Sequence, residues 1–148
     1  MHAPSSPPPP LPAPNIDELN RPHWEALKKG ELRFQRCGAC GHASLPAREQ
    51  CPSCLSSQVD WEVASGRASL VSWITYHVAF NKAFKDRIPY IVAIVTLAEG
   101  PRMLTNIVNV VSEEGLTIDM PLVLAIEWEG ETAVAHFRPE CQSEVHQT

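Results

Sequence analysis

The chain has 148 residues, 44% of them hydrophobic and 20% charged, with a formal net charge of −5. That length suits one domain or two small modules. Residues 1–98 carry ten Lys/Arg against eight Asp/Glu, and residues 99–148 carry two against nine. An acidic second half without a basic stripe argues against a phosphate-backbone partner. No run is long and apolar enough to span a bilayer, and no apolar leader is seen, so a soluble, cytoplasmic protein is expected.

Half of the fourteen prolines precede Asn15. Residues 1–14 therefore read as a proline-rich disordered tail that cannot bury a core. Residues 15–30 read as an N-terminal helical segment. Asn15 and Glu18 are spaced like an N-cap and its partner, and Pro22 falls early in a second helix start, where its missing N–H costs little. Lys28 and Lys29 suit the C-terminal end of the helix dipole, and Gly30 suits the position after it. One broken helix or two short ones are expected over 16–29. So short a helix is marginal alone, so Trp24 and Leu27 on its shared face must dock on the chain's own sheet or on a partner.

Residues 31–63 read as a rubredoxin-like zinc ribbon. Leu32 and Phe34 alternate with polar residues on the way in, and Val59, Trp61 and Val63 do so on the way out. Between them stand Cys37-Gly38-Ala39-Cys40 and Cys51-Pro52-Ser53-Cys54. Each C-x-x-C turn can aim two thiolates at one cation, and two facing turns complete a tetrahedral Cys₄ shell. Gly41 follows the first pair, where such a turn often needs positive φ. Leu55 follows the second, so a less regular turn is expected there. Disulfides would need an oxidising compartment, a redox C-x-x-C a thioredoxin-like context, and iron is the chemical rival to zinc. With all four positions filled by cysteine, the zinc has a structural role and no open catalytic position.

From residue 64 to 139 the pattern changes to long β runs: 66–78, 90–98, 102–110, 122–129 and 132–138. The first is apolar on both faces and long enough to serve two sheets. Five such strands make a mainly β domain of the OB-fold barrel type, with a β-sandwich as rival. Residues 111–120 are too short and polar for a good plug helix. Residues 140–148 read as an acidic C-terminal tail.

The order helix, ribbon, barrel resembles the zinc-ribbon/OB-fold proteins associated with acyl-CoA enzymes, a family long catalogued as a domain of unknown function. The resemblance rests on His23-Trp24-Glu25-Ala26-Leu27-Lys28-Lys29-Gly30-Glu31-Leu32 and Phe34-Gln35-Arg36-Cys37-Gly38-Ala39-Cys40-Gly41. Further on it rests on Ser65-Gly66-Arg67, Pro89-Tyr90-Ile91-Val92-Ala93, the stretch Glu99 to Asn106, and Phe137-Arg138-Pro139. It implies a non-catalytic subunit that contacts acyl-CoA and completes or stabilises a partner's active site. Such partners are thiolases, MaoC-like enoyl-CoA hydratases and retro-aldolases that shorten sterol side chains. Asp119 stands where many members have glycine, so the bend before Met120-Pro121 is expected to be built differently.

No catalytic constellation stands out: G-x-S-x-G, G-x-x-x-x-G-K-[ST] and G-x-G-x-x-G are all missing. His77 and His136 read as packed or surface histidines, and Cys141 as a free tail thiol. The segment 79–88 gathers Phe80, Lys82, Phe84, Lys85 and Arg87, a pattern suited to pantetheine and CoA phosphates or to a partner surface. Trp24 joins these as a candidate contact. A single-stranded nucleic-acid module, with the same loop as its stacking and cationic site, is the alternative.

Overall fold

The computed structural model describes residues 14–77, 88–110 and 113–140. Of the expected tails, residues 1–13 and 141–148 (with Cys141) lie outside them, as do the loop residues Phe80, Lys82, Phe84, Lys85 and Arg87.

One helix, α1 (Arg21–Lys28), precedes the sheets. It is shorter than the expected 16–29, and its entry is built otherwise than by Asn15 and Glu18. Asp17 and Asn20 bond reciprocally: the Asp17 N–H donates to Asn20 Oδ1 at 2.8 Å and the Asn20 N–H to Asp17 Oδ1 at 2.9 Å. The Asn20 amide also donates to the Asn15 carbonyl at 2.9 Å. Those side chains hold a turn over 17–20, leaving Arg21 and Pro22 to open the helix. Gly30 follows with φ of 88°. Leu27 is fully buried, and Trp24 packs half-buried against the core.

The ribbon is a three-stranded antiparallel sheet of β1 (Arg33–Cys37), β2 (Ala43–Ser44) and β3 (Val59–Val63), with β1 central. The two-residue β2 adds a third strand to the two expected on the way into and out of the ribbon. Its return limb is tied to β1 through Gln35, a buried side chain whose Oε1 accepts from the Arg48 N–H at 2.8 Å.

The second unit is a closed barrel of β4 (Arg67–Tyr76), β5 (Tyr90–Leu97), β6 (Arg102–Ile107), β7 (Pro121–Glu129) and β8 (Thr132–Pro139), in the order β4-β5-β6-β8-β7. β4 serves both sides of the closure, pairing with β5 over Ala68–Tyr76 and with β7 over Arg67–Ser69. Closure by that pairing, and by the parallel bridge Ile107–Phe137 between β6 and β8, removes the sandwich alternative. Residues 113–115 form a single 3-10 turn, in place of a plug helix.

A β-bulge changes one reading of β4. The register with β5 shifts between Leu70 and Ser72, so Val71 is the extra residue. Simple alternation puts Leu70, Ile74 and Tyr76 on one face. With the bulge, Leu70 points into the barrel opposite Val95, while Ile74 and Tyr76 turn outward.

The barrel interior is lined by Leu70, Ala93, Val95, Leu97, Leu122, Ala135 and Phe137. Leu27 of α1 and Leu32 and Phe34 of the ribbon belong to the same hydrophobic cluster. Of the two dockings open to Trp24 and Leu27, the chain's own core takes Leu27 fully and Trp24 in part. Asp119 takes φ of 68° before Met120-Pro121, and its N–H donates to the Leu70 carbonyl at 2.7 Å. Aspartate tolerates this left-handed conformation better than most residues, so the bend is kept without glycine.

Candidate metal centre and neighbouring cavities

The two C-x-x-C turns face one another. The sulfurs of Cys37, Cys40, Cys51 and Cys54 all lie within 4.8 Å of one another. Cys37 and Cys54 are 3.6 Å apart at sulfur, and so are Cys40 and Cys51. A tetrahedron with Zn–S bonds of about 2.3 Å has edges of about 3.8 Å, so the cage has the size of a zinc ion. The separation is far too long for a disulfide of about 2.05 Å.

Backbone donors prepare two of the sulfurs as thiolates. The Cys40 and Ala39 N–H groups point at Cys37 Sγ from 3.4 and 3.3 Å. Led by the Cys40 N–H, they draw the Cys37 thiol down to about 6. The Cys54 and Ser53 N–H groups draw Cys51 down in the same way, the latter from 3.3 Å. At Cys54 the Ser56 N–H favours the thiolate. The sulfurs of Cys37, Cys40 and Cys51, with burial, outweigh it and push the thiol up to about 12. Four negative sulfurs at this spacing cannot all ionise without a cation among them. The donor set is the structural zinc site of the ribbon; when bound, the ion cross-links the two turns and keeps no open position for chemistry.

The turns are more alike than the sequence indicates. The Gly41 N–H donates to the Cys37 carbonyl at 2.9 Å, and the Leu55 N–H to the Cys51 carbonyl at 2.8 Å. Gly41 has φ of 80° and Leu55 has φ of 67°. The second turn is thus as regular as the first, with a leucine held in the left-handed region.

Two cavities lie away from the metal. One, of about 510 Å³, opens at the barrel mouth between Thr75, His77, Tyr90, Asn106, Glu113 and His136. His136 is buried at 3% exposure; its Nδ1 meets Glu127 Oε1 at 3.0 Å and its Nε2 lies 3.6 Å from Glu129 Oε2. Thr75 Oγ1 donates to Glu113 Oε1 at 2.7 Å. His136 thus packs as expected, but its pairing with Glu127 was not legible. They lie on neighbouring strands, and only the β7–β8 register brings them together. The described lining of this cavity is acidic. The phosphate-holding cations expected nearby, Lys82, Lys85 and Arg87, are outside the described residues.

The second cavity, of about 320 Å³, is an apolar groove between α1, the ribbon limb and β6, lined by His23, Trp24, Leu45, Pro46, Met103 and Leu104. His23 stacks edge-on against Trp24 with ring centroids 4.9 Å apart. Burial holds its pKa below the ordinary value, opposed by a hydrogen bond to the Arg33 backbone, and Nδ1 has no partner among the described residues.

Two family models match this arrangement. Residues 24–60 match the ChsH2 rubredoxin-like zinc ribbon domain, and residues 61–127 the ChsH2 C-terminal OB-fold domain. A DUF35 domain-containing scaffold protein of Pyrococcus furiosus is 30% identical over 115 residues, covering 72% of this chain and 84% of that protein. The chain belongs to this ChsH2/DUF35 family.

A probable enoyl-CoA hydratase alpha subunit of Thermomonospora curvata is 37% identical over 134 residues, which are 90% of this chain. The chain spans only 41% of that relative's length. Among solved structures, a chain of the Ltp2-ChsH2(DUF35) aldolase superposes with a TM-score of 0.76 at 35% identity, over 86% of this chain and 98% of that one. Among the described residues no helix is long and apolar enough to cross a membrane.

Proposed function

We propose that this chain is a non-catalytic accessory subunit of an acyl-CoA enzyme, one that binds acyl-CoA at a shared boundary and completes or stabilises the partner's active site. The observation that carries this reading is the closed tetrathiolate centre. The metal here has a full protein shell, so it serves the fold, and the partner supplies the acid, base or nucleophile. The relatives support the same reading, since their names describe a hydratase subunit, a scaffold protein and a component of an aldolase. The partner is a thiolase-, MaoC-hydratase- or aldolase-type subunit acting on lipid or sterol side-chain acyl-CoA.

Within that complex Lys82, Lys85 and Arg87 hold CoA phosphates through charge-assisted bonds. Phe80, Phe84 and the half-buried Trp24 contribute apolar contact. The test is to purify the tagged chain from its source, identify what accompanies it, and assay both the chain and the complex with acyl-CoA. The expected result is an inert chain, a stoichiometric acyl-CoA enzyme beside it, and a raised KM when the three cations are replaced by alanine. Turnover by the chain alone, or salt-sensitive binding to a single-stranded oligonucleotide, would overturn the reading.

A further inference from the structure

The bulge at Val71 leaves an apolar stripe on the outside of the barrel. Along β4, β5 and β6 the outward residues stand in rows: Ser72 opposite Ile94 and Ile94 opposite Leu104, then Ile74 opposite Val92 and Val92 opposite Asn106. Tyr76 and Tyr90 continue the face, with ring centroids 5.2 Å apart. Ile74 is 61% exposed, Ile94 38% and Leu104 68%. None of these positions carries a charge. The Asn106 amide is already turned to the Ile91 carbonyl at 3.0 Å. Leu104 also forms one wall of the groove that holds Trp24, Leu45 and Pro46. Stripe and groove are therefore one surface, running from the tyrosines across β6 to α1.

We infer that this surface, the outer face of β4–β5–β6 together with the α1 groove, is where the partner enzyme subunit docks. The inference rests on the accessory-subunit reading above and adds where the partner binds. Contiguous apolar patches of this kind mark protein contacts. A phosphate backbone or a CoA phosphate needs several cations; among the described residues the three rows offer none, and the adjoining groove offers the single Arg102 at its edge. A second copy of this chain would bring together two molecules of net charge −5 each, a repulsion that a partner of neutral or basic rim avoids. A specific interface needs about 800 Å² and some 20–30 residues per partner. The stripe alone offers fewer residues than that, and the groove extends it with Trp24, Leu45, Pro46 and Met103. The centre of the contact is an aliphatic cluster around Ile94 and Leu104, matched by an uncharged patch on the partner.

The experiment uses the full chain and the partner recovered with it. Affinity is measured by calorimetry for wild type, for Ile74→Lys, for Leu104→Lys and for Trp128→Lys, the last an exposed position on β7 away from the stripe. Zinc content and far-UV circular dichroism establish that each variant is folded. Leu104→Ser and Ile74→Thr replace the lysine variants if those do not fold. The expected result is affinity at least ~30-fold weaker for each stripe variant, the threshold of an interface hot spot, and wild-type affinity for Trp128→Lys. Wild-type affinity in the stripe variants overturns the docking face and leaves the accessory-subunit reading standing. Recovery of no acyl-CoA enzyme overturns both. A dimer of the chain alone that Leu104→Lys dissociates assigns the face to a second copy and overturns the inference.

Discussion

β3 of the ribbon buries none of its five residues, whereas β8 of the barrel buries four of its eight. The contrast extends to both units. The barrel is filled by Leu70, Val95, Leu97, Leu122 and Phe137, each 2% exposed or less. At ~1.5–3 kcal/mol for each large apolar side chain taken from water, such an interior sustains a fold by packing. The ribbon has one well-buried strand, β1, and exposes Leu55 and Val63. Its two turns face each other at sulfur, Cys37 to Cys54 and Cys40 to Cys51. The barrel is held by its interior; the ribbon is held by its metal and by the two apolar residues, Leu32 and Phe34, that it places in the common cluster.

Metal removal is the hardest test of that contrast. Chelation, or Cys37→Ser, withdraws a binding free energy of about 10–16 kcal/mol in small zinc peptides. Hydrogen exchange should then show the amides of β1 and β3 losing protection while those of β5 keep theirs. The melting temperature of the barrel should fall, because Leu32 and Phe34 lose their ordered seat. Protection retained in both units would mean that packing alone holds the ribbon. Loss in both would mean that one cooperative unit spans the chain.

His23 sits where the two units meet, and pH sharpens the comparison there. Its folded pKa is depressed by burial, so the unfolded chain binds the additional proton between the unfolded value of about 6.5 and the lower folded value. Its contribution is fully present above about pH 6.5 and is lost as pH falls through the folded pKa. The slope is at most about 1.4 kcal/mol per pH unit for one proton. Urea midpoints at pH 7.5 and 5.5 under saturating zinc should therefore differ more for wild type than for His23→Gln. An equal pH dependence in the two proteins would place the titration elsewhere, the ligand thiolates included.

Much of this architecture was legible because its signals are local. Two C-x-x-C pairs fix a tetrathiolate shell by spacing, and five apolar runs fix five strands. What escaped depends on tertiary register. Val71 looks like any strand residue until β5 is laid beside it, and that one insertion decides that Ile74 and Tyr76 face outward. The His136–Glu127 contact exists only through the β7–β8 pairing. Asp17 rather than Asn15 orders the helix entry because it pairs with Asn20, a competition between neighbouring turns that propensity alone does not rank.

Leu55 departs from expectation for a different reason: a bulky residue at a position that favours glycine suggests an irregular turn, yet the turn is regular. The backbone keeps the turn and strains the residue, which offers the smallest and most direct test. A non-glycine residue in the left-handed region costs roughly 1–2 kcal/mol. Leu55 is 69% exposed, so truncating it forfeits little packing. Glycine adds unfolded-state freedom worth about 0.5–1 kcal/mol, which offsets part of the relief. Leu55→Gly should thus stabilise the ribbon by up to about 1 kcal/mol. Gly41→Ala at the matching position should destabilise it by up to about 1 kcal/mol, since a Cβ there meets nothing within 4 Å, the φ of 80° opposes it, and the lost unfolded-state freedom offsets part of that strain. Zinc affinity by chelator competition reads both, because each turn's N–H···O bond positions its pair of sulfurs. If Leu55→Gly weakens zinc binding instead, the leucine makes a contact that its exposure conceals, and the two turns are not equivalent.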